Sequence, residues 1–155
     1  MVAIAPSGLS LPPERVWQVA GMALSGVIFS ALRPFVASSS RHVSRLLLSG
    51  LRARPWKAAR GEADALADGF GSAHFWRLLV WAIGADVPRD LDAITCPVML
   101  AQGSADFIAA GQTARFLTCV TSARFSILPF AGHAAQADVP ERVAELVYDT
   151  AARAA

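Results

Sequence analysis

The run Cys96 to Asp106, CPVMLAQGSAD, decides the fold. From Pro97 to Gln102 it reads as a strand, followed by a Gly-Ser-Ala-Asp turn. Towards the carboxyl end, a helix is expected around Gln112 to Val120. A second strand follows over Arg124 to Leu128, in ARFSILPF. The final helix has the clearest start signal: Asp138 and Glu141 stand at capping-box spacing, and Pro140 sits in the first turn. Val143, Leu146, Val147 and Ala151 are expected to line its buried face.

Towards the amino end, Val2 to Ala5 in VAIAPSG is a short apolar run stopped by Pro6, Ser7 and Gly8, and its composition asks for neighbours on both sides. Residues 11 to 85 read as helix and loop. One helix is expected from Pro13 to Leu32, ending before Arg33 and Pro34, and a second is capped by Ser38 to Ser40 and closes near Gly50. Two more cover Glu62 to Asp68 and His74 to Ile83, the latter with Phe75, Leu78, Leu79, Ala82 and Ile83 on one face. Strand, helical insert, strand, helix, strand, helix predicts an α/β architecture of about three parallel strands with flanking helices.

The 155 residues are 54% hydrophobic and 17% charged, with a formal net charge of +2, which excludes a disordered or collagenous chain. With glycine the apolar share reaches about 61%, above the roughly 45 to 50% of soluble domains. Such an excess implies surface that expects a membrane, a partner or further protein. Two cysteines, Cys96 and Cys119, exclude a disulfide framework and are expected to be buried, reduced thiols. Met1 to Pro13 carries no Lys or Arg, so no cleaved secretory signal is read and a cytoplasmic location is expected.

Charge is unevenly placed. Residues 1 to 61 hold eight basic residues and one acid, whereas residues 62 to 155 hold six and eleven. Arg41, Arg45, Arg52, Arg54, Lys57 and Arg60 surround Trp56, and they are expected to form a solvated face rather than a nucleic-acid site. Val16 to Leu32 is uncharged but at the short limit for spanning hydrocarbon. His42 and His74 lack acids at metal-ligand spacing, and Asp86, Asp90 and Asp92 lack the Gly and terminal Glu of an EF-hand loop. No metal and no cofactor are expected.

In parallel sheets, ligands and catalytic groups gather beyond the carboxyl ends of the strands. Gly103-Ser104-Ala105-Asp106 and Pro129-Phe130-Ala131-Gly132-His133 occupy those places. A carboxylate after one strand and an imidazole after the next match a known arrangement, in which the acid fixes the tautomer of a histidine acting as general base. Asp138, beside the His loop, is the competing acid and is assigned to the helix cap.

CPVMLAQGSAD followed by ILPFAGHAAQADVPERVAELV resembles the carboxyl-terminal region of α/β-hydrolase-fold enzymes, and VAIAPSG resembles the strand before their lid insertion. The resemblance covers most of the chain. It implies that Asp106 is the triad acid and His133 the triad base. It also implies a core strand over residues 1 to 8, a helical cap over about 9 to 91 and a carboxyl-terminal core over 92 to 155. The departure is the nucleophile, since no Gly-x-Ser-x-Gly pentapeptide occurs. The nearest, Gly8-Leu9-Ser10-Leu11-Pro12, ends in proline and lies one strand too late, so Ser10 is expected to be a capping or loop serine. No upstream oxyanion-hole loop is present either.

The expectation is therefore an incomplete α/β-hydrolase fold, inactive alone. By resemblance it serves a serine-type hydrolase of ester-like or other small apolar substrates. Trp17, Phe29, Phe35, Phe75, Trp76 and Trp81 fit an apolar substrate, and core packing equally well. The expected partner is a complementary amino-terminal half, or a second copy joined through the first strand's free edge. The alternatives are a non-catalytic binding module and a membrane-associated protein held by residues 16 to 32.

Overall fold

The computed structural model describes residues 1–36, 41–59, 61–84 and 88–153. Three strands, β1 (Val2–Ile4), β2 (Val98–Gly103) and β3 (Ala123–Leu128), form one sheet in the order β1-β2-β3. Both pairings are parallel, with Val2 opposite Met99 and Gly103 opposite Leu128. Seven α-helices are present among the described residues: α1 (Pro12–Val36), α2 (Arg41–Leu48), α3 (Glu62–Phe70), α4 (Ala73–Gly84), α5 (Ala110–Cys119), α6 (Ala135–Asp138) and α7 (Pro140–Ala152).

The chain divides into two compact units. The first comprises Met1–Ser10, Gly50–Arg54 and Val87–Ala155. Its centre is β2, whose alternate side chains enter two different cores. Val98 and Leu100 pack with Leu9, Phe116 and Val120 on the α5 side, while Met99 and Ala101 pack with Leu128, Ala131, Ala135 and Leu146 on the α7 side. Burial on both faces is why Val98 to Ala101 are apolar without a break. Leu100, 1% exposed, contributes about 2 kcal/mol by removal of its side chain from water.

The last helix departs from expectation. Asp138 ends the short α6, Val139 breaks the helix at φ −139°, and Val139 rather than Asp138 occupies the N-cap of α7 with no side-chain cap bond. Asp138 instead points into the protein, for reasons given below. The buried stripe of α7 is Val143, Leu146 and Thr150, whereas Val147 and Ala151 are exposed. Thr150 is tolerated there because its hydroxyl donates to the Leu146 carbonyl at 2.6 Å. The cysteines are not buried: Cys96 lies exposed ahead of β2, and Cys119, the last residue of α5, is half-buried.

The second unit, Leu11–Ser49 with Pro55–Asp86, is helical. Phe29, Leu48, Ala63 and Ala67 form its core. Phe29 stacks on Phe70 at 4.9 Å between centroids, Phe70 meets Phe75 at 4.8 Å, and Phe75 meets Trp76 edge-on at 5.4 Å. Gly26 of α1 makes room for α4, since a Cβ there would lie 2.7 Å from the Phe75 ring. Phe29, Phe75 and Trp76 are thus engaged in packing, Trp17 and Trp81 are exposed, and the side chain of Phe35 lies outside the described residues, as do Ser38 to Ser40.

Helix α1 continues through Pro34 rather than ending before it. Proline forfeits one bond to the preceding turn but its φ suits a helix, and only the final residues follow it. The segment Pro12–Leu32 is long and apolar enough to cross a membrane by length and composition, and little of it is buried. Helix α4 buries Leu79 alone, leaving Leu78 and Ile83 of its expected apolar face exposed.

Candidate active site

The loops after β2 and β3 are laced together by backbone bonds. Ser104 N–H donates to the Leu128 carbonyl at 3.0 Å and Ala105 N–H to the Ala131 carbonyl at 2.9 Å, while Phe130 N–H donates to Ser104 Oγ at 3.0 Å. Gly103 makes this approach possible, because a Cβ there would overlap the carbonyls of Ala131 and Gly132. Phe130 adopts a left-handed backbone, φ 59°, which is costly for a bulky residue and turns the chain sharply towards Gly132 and His133.

Asp106 and His133 meet there. His133 Nδ1 lies 3.3 Å from each Asp106 carboxylate oxygen. The Asp106 side chain is wholly buried, and that of His133 is 31% exposed. Asp106 Oδ1 also accepts the N–H groups of Ile108 at 2.8 Å and Ala109 at 3.2 Å, which orients the carboxylate and satisfies donors at the start of α5. Gln102 Nε2 steadies the same turn by donating to the Asp106 carbonyl at 3.3 Å. A carboxylate at Nδ1 favours the tautomer whose Nε2 lone pair is free to accept a proton. Among the described residues, Nε2 makes no hydrogen bond.

Ser10 lies in the loop before α1. It does not cap that helix, since the Leu11 N–H is taken by Glu14 Oε2 at 2.9 Å and the Ser10 hydroxyl makes no hydrogen bond among the described residues. The preceding turn is tied to α5 instead, with Gly8 N–H donating to Gln112 Oε1 at 2.7 Å and Arg115 Nε to the Leu9 carbonyl at 2.5 Å. Asp90 takes a left-handed backbone before a short 3-10 turn at Leu91–Ala93, and Asp92 lies exposed within that turn. Asp86 and the side chain of His42 lie outside the described residues. No group of three or more His, Cys, Asp or Glu positioned to hold a metal occurs among the described residues.

Asp138 has a role that its sequence position hides. Its side chain is fully buried, and it accepts from Gly132 N–H at 2.9 Å, Ala53 N–H at 2.8 Å and Arg52 Nε at 3.2 Å. Burial pushes its carboxyl pKa up, but the N–H groups of Gly132 and Ala53 and the Arg52 guanidinium outweigh burial and hold it below the ordinary value. Arg52 is itself buried, which corrects its assignment to a solvated basic face, and its Nη2 donates to the Ala137 carbonyl at 2.6 Å. Arg54 Nη2 donates to the Asp138 carbonyl at 2.9 Å, with its guanidinium 6.0 Å from the Phe130 ring centroid. A buried guanidinium needs such partners, and only the fold brings them. Gly50–Arg54 accordingly belongs to the strand-bearing unit, although it interrupts the stretch expected to be all cap. No sequence signal marks Arg52 out from its basic neighbours.

No family model and no curated protein sequence matches the chain. Solved structures do. A thermophilic esterase from Thermogutta terrifontis aligns at 16% identity and TM-score 0.63 over 99% of this chain and 55% of its own. An α/β-hydrolase enzyme from a Medee basin deep-sea metagenome library aligns at 16% and 0.66, over 97% and 55%. The 2-hydroxy-6-oxo-6-phenylhexa-2,4-dienoate hydrolase from Rhodococcus sp. aligns at 16% and 0.59, over 96% and 53%. The fold is therefore the α/β-hydrolase fold, of which three parallel strands with their helices are present. The chain spans about half the length of the solved structures it matches.

Proposed function

We propose that the chain carries the acid and base of a serine-type α/β-hydrolase, His133 as general base and Asp106 as its orienting acid, with the nucleophile supplied by polypeptide outside this sequence. The observation that carries the reading is the contact of His133 Nδ1 with the buried Asp106 carboxylate at the carboxyl ends of adjacent parallel strands. In the assembled site, Nε2 of His133 takes the proton of an attacking serine hydroxyl and returns it to the leaving group, and Asp106 stabilises the imidazolium between those steps.

The similarity to an esterase and to a dienoate hydrolase favours an ester or comparable carbonyl substrate of apolar character. Strand β1 supports a divided sheet, since it is half-buried yet, among the described residues, pairs with β2 on one side and with no strand on the other. On this reading a complementary strand, from an amino-terminal half or a second copy, covers its free edge.

The test begins with the gene. The polypeptide carrying this sequence is tagged after Ala155, recovered from its native cells and treated with a fluorophosphonate that labels activated serines. A labelled serine within the recovered protein or its complex, lost in His133→Ala, is the expected result. Labelling that survives His133→Ala overturns the proposal. The isolated 155 residues are expected to hydrolyse a p-nitrophenyl ester no faster than their own His133→Ala variant.

A second reading, membrane association, is favoured by the largely exposed, uncharged run from Val16 to Leu32 within α1. Co-sedimentation of the chain with phosphatidylcholine vesicles, lost in Trp17→Glu, would support it.

A further inference from the structure

We infer that Asp138 is a positioning residue for His133: its buried carboxylate clamps the Gly132 peptide and the 51–53 backbone together and so fixes where the imidazole meets Asp106. The inference rests on the Asp106–His133 reading above and adds a residue to it.

The residues on either side of His133 are both tied to the 51–53 segment, Gly132 by way of Asp138 and Ala134 directly. On one side, Gly132 N–H donates to Asp138 Oδ2 at 2.9 Å. On the other, Ala134 N–H donates to the Leu51 carbonyl at 2.8 Å. Asp138 in turn holds that segment through Ala53 N–H and Arg52 Nε. Arg52 closes the loop by donating to the Ala137 carbonyl, one residue before Asp138.

Glycine at 132 explains why a clamp is needed. A Cβ there would stand 2.7 Å from the Leu51 carbonyl oxygen, 2.8 Å from Ala53 N and 2.9 Å from the Arg52 carbonyl carbon, all backbone atoms with little room to yield. Only glycine fits, and glycine leaves the peptide before His133 with the widest conformational freedom of any residue. The Asp138 carboxylate restores the restraint. Each side-chain contact it makes is with a donor, so the position requires an acceptor-only group. Asparagine has the same shape, but it would turn an amide N–H₂ against N–H donors.

The experiment is nitrogen NMR of the 155-residue chain with labelled histidine at neutral pH, which separates the two imidazole tautomers. In the unaltered protein, His133 is expected as the Nδ1–H tautomer. In Asp138→Asn, which touches neither Asp106 nor the ring, about half or more of His133 is expected to revert to the Nε2–H form preferred by a free imidazole. Val143→Ala loosens the packing of α7 without touching the clamp and is expected to keep the Nδ1–H form, which separates positioning from general destabilisation.

An Asp138→Asn protein that keeps the Nδ1–H form overturns the inference and leaves the Asp106–His133 reading intact. An unaltered protein lacking that form sinks both. If Asp138→Asn does not fold, Arg52→Gln decides: a smaller shift in the same direction supports the clamp, and an unchanged tautomer overturns it.

Discussion

Asp106 and His133 are 27 residues apart in the chain, and both oxygens of the one stand 3.3 Å from Nδ1 of the other. The same carboxylate accepts the N–H groups of Ile108 and Ala109 at the start of α5. One side chain therefore braces the turn leading into α5 and meets an imidazole.

Asp106→Ala is expected to cost about 1 to 2 kcal/mol, the usual range for losing a carboxylate acceptor at a helix start. Urea denaturation measures it. His133→Ala, which leaves those two N–H bonds in place, is expected to cost less. Equal costs would show that Asp106 does not support α5.

Gly132→Ala is expected to destabilise by about 1 to 3 kcal/mol or more, because the added methyl meets backbone of residues 51 to 53 rather than a movable side chain. Gly50→Ala, where nothing lies within 4 Å of the added carbon, is the control for cavity overlap. Thermal unfolding of the pair separates the two effects.

Acid should weaken the fold partly through Asp138. Its folded pKa is depressed below the ordinary carboxyl value, so its contribution is fully present above about pH 5 and is lost as the pH falls through the folded value. The stability gap between the unaltered protein and Asp138→Asn should narrow steadily from pH 5 towards pH 2. A gap constant over that range, in urea titrations at each pH, would refute the ion pair.

Leu100→Ala should cost about 2 to 5 kcal/mol, since it empties the centre of the two-faced strand β2. Ile127→Ala, on the exposed outer strand β3, should stay within about 0.5 kcal/mol. Denaturation midpoints of the two variants test the three-strand order directly.

Much of the fold was legible because its signals are local. An unbroken apolar run such as Val98 to Ala101 can be satisfied only between two layers, and a turn beyond each strand end carries Asp106 and His133 wherever the strands pair in parallel. Asp138 shows the limit of such reading. Its spacing to Glu141 satisfies the capping-box rule, yet a buried carboxylate with three donors around it outweighs one N-cap bond, so Val139 takes the cap instead. Arg52 was illegible for a related reason: buried and solvated arginines are written alike, and the difference is made by a partner 86 positions away.

By itself, the sequence determined the order of strands and helices, the apolar character of β2 and the pair of strand-end turns, because backbone geometry and side-chain solubility act over a few residues. Tertiary structure alone decided that the imidazole reaches the carboxylate, that Arg52 is buried and that Asp138 holds the His loop. Those outcomes depend on which distant donors and acceptors are brought within hydrogen-bonding distance once water is excluded, and no local pattern encodes that.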